Sequence, residues 1–182
     1  MKEIKLQTFW THAKPERVVW AVAEHDGNRS ICPLGWKMRT SHKPPMMAIS
    51  VAPTRYTHDL IVGAGAFVLA WPGRDLAEAT LFCGTHSGRD TDKFAHAGLT
   101  PLPAQHVNAP LVKECVANLE CTVVGQTTSG DHTIFVGEIV AAYMSETPGP
   151  LLCTINHACG YEFLLEDKGY RFGVVQDCDD PR

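Results

Sequence analysis

The sequence predicts a mainly β protein, a Greek-key antiparallel barrel of about six strands with short helices inserted between the early ones. Three observations carry that prediction. Short runs rich in Val, Ile, Phe, Trp and Tyr recur along the chain, a composition that suits a pleated, half-buried surface. Gly, Pro and Asp-Gly steps punctuate those runs, so neighbouring strands can fold back on one another. Long helices do not alternate regularly with strands, which makes a doubly wound parallel sheet the weaker alternative. Closing the sheet also removes exposed strand edges.

Residues 17–25 read as the first strand, through Val18, Val19, Trp20 and Val22, and Asp26-Gly27-Asn28 turns it. Residues 30–35 pair back. After Lys43-Pro44-Pro45, residues 46–52 form a third strand, whose unbroken hydrophobicity implies burial on both faces and a central position. A short helix starts near residues 53–57, with Thr54 or Thr57 as cap and Leu60 and Ile61 facing inward, and Gly63 and Gly65 end it. Residues 66–71 give another strand. A helix over 75–82 closes at Gly84, and a third short helix over 90–97 ends at Gly98. Beyond a Pro-containing loop, 117–127 and 132–144 form a long hairpin about Ser129-Gly130-Asp131, followed by strand candidates at 161–165 and 170–175.

The length of 182 residues, with 45% hydrophobic and 20% charged side chains, fits one globular domain over 1–182, with the segment from 150 onward as an extension of it. Sixteen basic against 20 acidic residues give a formal net charge of -4, so no broad cationic field gathers nucleic acid. The uncharged apolar stretch 60–73 carries three Gly and a Pro and is shorter than the ~18 residues of a spanning helix. No membrane partner is expected. Lys2, Glu3, Lys5 and Gln7 interrupt the start of the chain, so no secretory leader is read there and a cytoplasmic protein is predicted. The seven cysteines do not have structural-zinc spacing and read as reduced, mostly buried thiols, and no metal site is predicted.

Chemistry concentrates in three segments. Gly84-Thr85-His86-Ser87-Gly88-Arg89-Asp90-Thr91-Asp92-Lys93 gathers hydroxyls, amides and cations before a helix start, a combination that binds anions or simply caps a helix. It lacks the Gly-Lys-Ser ending of a Walker motif. Ser50, Thr54, Arg55, Tyr56 and Thr57 stand where a buried strand runs into a helix, a second seat for phosphate. Ser30-Ile31-Cys32-Pro33-Leu34-Gly35-Trp36 places a glycine beside an aromatic wall, which permits close approach to a flat ring or forms a core strand end. Hydrolytic signatures are absent: there is no Gly-x-Ser-x-Gly, and Cys83 and His86 lie too near in sequence to suggest a thiol nucleophile. His58, His86, His96, His132 and His157 read as surface or packing residues. His157, beside Asn156 in a turn-like region, could also donate a proton or touch substrate.

Taken together, Lys43 through Val51, Thr54-Arg55-Tyr56-Thr57, Phe67-Val68-Leu69, Phe82-Cys83-Gly84, Ser87-Gly88-Arg89-Asp90 and Asp92-Lys93-Phe94 resemble, in order and spacing, the flavin reductase-like proteins, and among them the flavoredoxins. Leu119-Glu120-Cys121 and the run from His132 to Glu138 extend the resemblance, which covers roughly residues 18–140. It implies an FMN-binding split barrel, six-stranded and antiparallel, working as a homodimer with flavin near the interface. By that resemblance Cys32, Pro33, Leu34, Gly35 and Trp36 lie along the isoalloxazine, Ser50, Val51, Arg55, Tyr56 and Thr57 hold ribityl and phosphate, and Ser87, Gly88 and Lys93 complete the phosphate end. The implied activity passes hydride or electrons from NAD(P)H, or from a ferredoxin-like donor, through FMN to an acceptor, with no side chain as catalytic acid or base. The alternative is a non-enzymatic FMN-binding electron-transfer protein. Two departures stand out: Ser30 and Pro33 replace the Asn and Thr usual in flavoredoxins, removing two donors toward the ring, and Cys32 adds a thiol. Lys37 could face a reduced flavin or stand in solvent.

Overall fold

The structure, a computed structural model, describes residues 3–6, 9, 15–154, 161–167 and 170–175. Its contacts divide the chain into two compact units, Val18–Leu152 and the pair of segments Met1–Arg17 and Cys153–Arg182. In the second unit β1 (Glu16–Arg17) pairs with β11 (Cys153–Thr154), and β12 (Tyr161–Asp167) with β13 (Tyr170–Val175).

The larger unit is built on one antiparallel sheet. Its strands are β2 (Val19–His25), β3 (Asn28–Leu34), β4 (Lys37–His42), β5 (Pro45–Val51), β6 (Ala66–Trp71), β9 (Ala117–Ser129) and β10 (His132–Met144), in the order β3-β2-β6-β9-β10-β5-β4. Chain neighbours β3 and β4 stand at opposite ends of that order, joined only by Gly35 and Trp36. A connection that short spans roughly 10 Å, whereas seven strands laid flat are roughly 29 Å across. The sheet therefore curls until its two edges face each other, and the barrel is split between β3 and β4. The main sheet thus has seven strands where about six were expected. The additional strand is β4, whose Lys37, Arg39, Thr40 and Ser41 carry no apolar signal because an edge strand leaves most of its residues exposed.

Alternation along β2 and β6 explains their unbroken hydrophobicity. Val19, Ala21, Phe67 and Leu69 point into a cluster with Ile49, Val51, Leu60, Ile61 and Phe135, whereas Trp20, Val22, Val68 and Ala70 join Ile31, Cys83, Phe94 and Leu111 on the opposite face. Both faces are buried, so both sets of positions are apolar. The Asp26-Gly27 turn has φ of 50° and 74°, left-handed values that suit Asp and Gly and match the twist of a two-residue hairpin.

Helix α1 (Tyr56–Ala64) buries Leu60 and Ile61 as predicted and stops at Gly65, with φ 63°, while Gly63 lies inside it. Neither Thr54 nor Thr57 caps it: Arg55 is the N-cap residue and makes no side-chain cap bond. A 3-10 turn (Arg74–Leu76) precedes α2 (Ala77–Thr85), which runs through Gly84 instead of closing there. The third helix, α3, is only Lys93–His96, because Asp92 caps it and leaves residues 90–91 outside. The short strands β7 (Pro101–Leu102) and β8 (Leu111–Val112) bracket the Pro-containing loop. That loop is moored by buried Glu120, whose carboxylate accepts from the backbone amides of Gln105 (2.9 Å), His106 (2.6 Å) and Val107 (3.1 Å) and from the Tyr143 hydroxyl (2.6 Å). No helix among the described residues is long and apolar enough to cross a membrane.

Candidate functional site

The free edge of β3, the N-terminus of α1 and the segment leaving α2 converge on one hollow of about 200 Å³. The two segments singled out in the sequence as candidate anion seats, about 30 residues apart, are brought together here. Thr54, Arg55, Tyr56 and Thr57 form one wall; Thr85, His86, Ser87 and Gly88 form the facing one; Ser30, Cys32 and Pro33 line it from β3. Because α1 lacks a side-chain cap, its leading amides are available to a ligand, and they carry the positive end of the helix dipole. The exposed Arg55 guanidinium lines the hollow and makes no hydrogen bond or ion pair among the described residues.

Lys93 lies beneath this wall, only 5% exposed. Its ammonium donates to the carbonyls of Ile31 on β3 (2.7 Å) and Cys83 on α2 (2.6 Å), so it straps the sheet edge to the helix. Of its three donors one remains for the hollow that the residue lines. Burial lowers its pKa, opposed by the neighbouring Cys83 and Cys32 thiols and reinforced by Arg55. The same burial raises the Cys32 thiol despite Lys93 and Arg55, and pushes Cys83 up to about 11. Both thiols stay protonated near neutrality and are poor nucleophiles.

Arg89 fastens the two walls to each other. Its Nη2 lies 2.5 Å from Asp59 Oδ2 on α1, its Nη1 donates to the Thr54 carbonyl at 3.5 Å, and its guanidinium sits 5.0 Å from the Tyr56 ring centroid. Asp92 accepts from Phe94 N (3.0 Å) and Ala95 N (3.2 Å) through Oδ1, while its Oδ2 lies 3.6 Å from Arg29 Nη2.

Two features fit a bound phosphorylated group. The Ser30 hydroxyl, on a residue 1% exposed, has no hydrogen-bond partner among the described residues. Gly88 covers it so closely that a Cβ there would collide with the Ser30 side chain and press on Tyr56. Only a residue without a side chain leaves the backbone of this loop in place against β3.

Of the predicted site residues, Cys32, Pro33, Arg55, Tyr56, Thr57, Ser87, Gly88 and Lys93 line the hollow together. Leu34, Gly35, Trp36, Ser50 and Val51 are not among its lining residues. Val51 is buried in the barrel interior, Leu34 packs against that cluster, and Ser50 N donates to the Trp36 carbonyl at 3.0 Å. Trp36 is 51% exposed, its ring 4.8 Å from that of His132. Lys37 Nζ donates to the Gly35 carbonyl at 3.1 Å. The lining also holds Thr54, Gly84, Thr85 and His86 from the two candidate anion segments and Ser30 from the third, none of them selected as a cofactor-binding residue, and Cys83, which sequence did not place there. For Ser30 the signal was there: it shares a strand face with Cys32, two residues on.

His58 bonds Thr133 Oγ1 at 2.9 Å, His86 and His96 stack on Phe82, and His132 bonds Asp131 at 2.7 Å. His157 lies outside the described residues.

Sheet and hollow together define a split β-barrel with one polar, cation-backed cleft at its open edge. The flavin reductase like domain matches residues 11–162, and the chain belongs to that family. It is similar to uncharacterized proteins of Pyrococcus abyssi (31% identical, covering 86% of this chain and 94% of the relative) and Archaeoglobus fulgidus (41% identical, 58% and 59%). The chain thus matches nearly the full length of the first and little more than half of the second. Among solved structures it resembles the flavoredoxin of Methanosarcina acetivorans (26% identical, TM-score 0.72, covering 100% of this chain and 95% of that one). It likewise resembles an FMN-binding protein of Thermus thermophilus (26%, TM-score 0.73, 100% of both chains).

Proposed function

We propose that this protein binds FMN and acts as an oxidoreductase of flavin reductase or flavoredoxin type, passing hydride or electrons from NAD(P)H or a redox protein to an acceptor. The observation that carries the reading is the meeting of residues 54–57 and 84–88 around one hollow, with Lys93 beneath and an unpartnered Ser30 hydroxyl at its wall. Bound flavin would supply the redox chemistry; the chain supplies binding, orientation and charge. Arg55, the α1 amides, Thr57 and Ser87 hold phosphate and ribityl; Cys32 and Pro33, with Leu34, Gly35 and Trp36 beyond them, bound the ring, and Ser50 and Val51 support the ribityl side. Family membership and the flavoredoxin and FMN-binding neighbours support the same reading. A Streptomyces globisporus relative described as an NADH-dependent FAD reductase, 28% identical over 103 residues, supports the reductase part of it.

The test is an FMN titration of desalted protein, followed by anaerobic NADH and then NADPH. Retained flavin that bleaches with a nucleotide supports the reductase and identifies its donor. Retained flavin that does not bleach supports the non-enzymatic electron carrier, the reading that the flavoredoxin neighbours favour. Arg55→Ala should weaken FMN binding about tenfold to a hundredfold, the worth of a charge-assisted contact. Unchanged affinity rejects the phosphate assignment.

A further inference from the structure

We infer that the wall beyond Gly88 makes the site selective for a flavin mononucleotide over a flavin dinucleotide, with Glu24 and Asp90 as the selecting residues. The inference rests on the flavin reading above and deepens it. A second hollow, about 460 Å³, adjoins the first and shares Gly88 with it. It lies between the β2–β3 turn and the segment 88–92.

Its charges are Glu24, Asp90 and Asp92 against Arg29 and Arg89. Both guanidinium groups are committed. Arg29 Nη2 lies 3.6 Å from Asp92 Oδ2, and its guanidinium is 4.7 Å from the Phe94 ring centroid; Arg89 is held by Asp59 and Tyr56. Glu24 stands opposite Arg29 in the strand register but forms no ion pair with it, and the Asp90 carboxylate has no partner among the described residues. The second hollow therefore presents uncompensated negative charge.

A mononucleotide concentrates about two negative charges on a single phosphate, which the first hollow meets with Arg55, the α1 N-terminus and Lys93. A dinucleotide spreads similar charge over two linked phosphates. One stays in the first hollow with less charge to be attracted, while the other continues past Gly88 toward Glu24 and Asp90. Gly88 offers no side chain to block that path, so the discrimination is one of charge.

The experiment compares FMN and FAD binding, by quenching of flavin fluorescence, for the unaltered protein and the Glu24→Gln/Asp90→Asn double variant at low and high salt. The unaltered protein should favour FMN by about tenfold or more, and the double variant should narrow that ratio about threefold to tenfold with FMN affinity kept within about twofold. High salt should narrow the ratio for the unaltered protein, because exposed charges are screened. Equal affinity for both flavins, or a ratio unmoved by the substitutions, overturns the selection while leaving the flavin reading standing. Failure to bind either flavin overturns both.

Discussion

At Ser30 a buried hydroxyl without a partner carries a cost of about 1 to 3 kcal/mol that a ligand oxygen or hydrogen could remove. Ser30→Ala should therefore separate two quantities that usually fall together. The thermal midpoint of cofactor-free protein should hold or rise, while FMN affinity drops about threefold to thirtyfold. Paired melting curves with and without FMN check this, and a lowered midpoint in both would assign Ser30 to the fold instead. Glu120 is the opposite case, a buried carboxylate with several donors. Burial alone would raise its pKa, but the bonds from Gln105, Tyr143 and His106 outweigh it and hold the carboxyl below its ordinary value. A depressed folded value means that its stabilisation is present above the unfolded carboxylate range and is lost as pH falls through the folded value. Glu120→Gln should cost about 2 to 4 kcal/mol near neutrality and flatten the acid limb of stability, measured by urea unfolding across pH.

Elements explain what sequence could reveal. Strands β2 and β6 were legible because two buried faces left no polar residue to interrupt them, and the hairpin at Asp26-Gly27 because its turn demands left-handed backbone. Strand β4 was not, since an edge strand obeys solvent more than packing. Helix ends slipped where tertiary contacts outweighed local signals: α2 continues past Gly84, and Lys93 begins α3 while bonding to β3 and α2. The anion segments could be read from their residue types, but their meeting could not, because it depends on Arg89 reaching Asp59 across 30 residues. Arg89→Ala and Asp59→Asn should each weaken FMN about threefold to tenfold, and the double variant should be little worse than either, the signature of one shared contact. Full additivity in that cycle would show that the two residues act separately.

For the whole molecule, we propose self-association as a homodimer. Trp36, Met38 and Val124, on and beside the curled sheet, are each at least half exposed. Sedimentation should show a particle of twice the chain mass, and Met38→Glu should shift it toward the monomer. The split between β3 and β4 has a last consequence. Along the outer rim of β3 the Lys93 ammonium takes the Ile31 carbonyl and the Cys32 thiol the Pro33 carbonyl, and no strand among the described residues pairs with it, so that rim is a template onto which a second extended chain could add. A molecule seated in the hollow would shield that template. Loading the protein would then govern how long it survives in storage as well as what it can reduce, and fibril growth on standing should slow as occupancy rises.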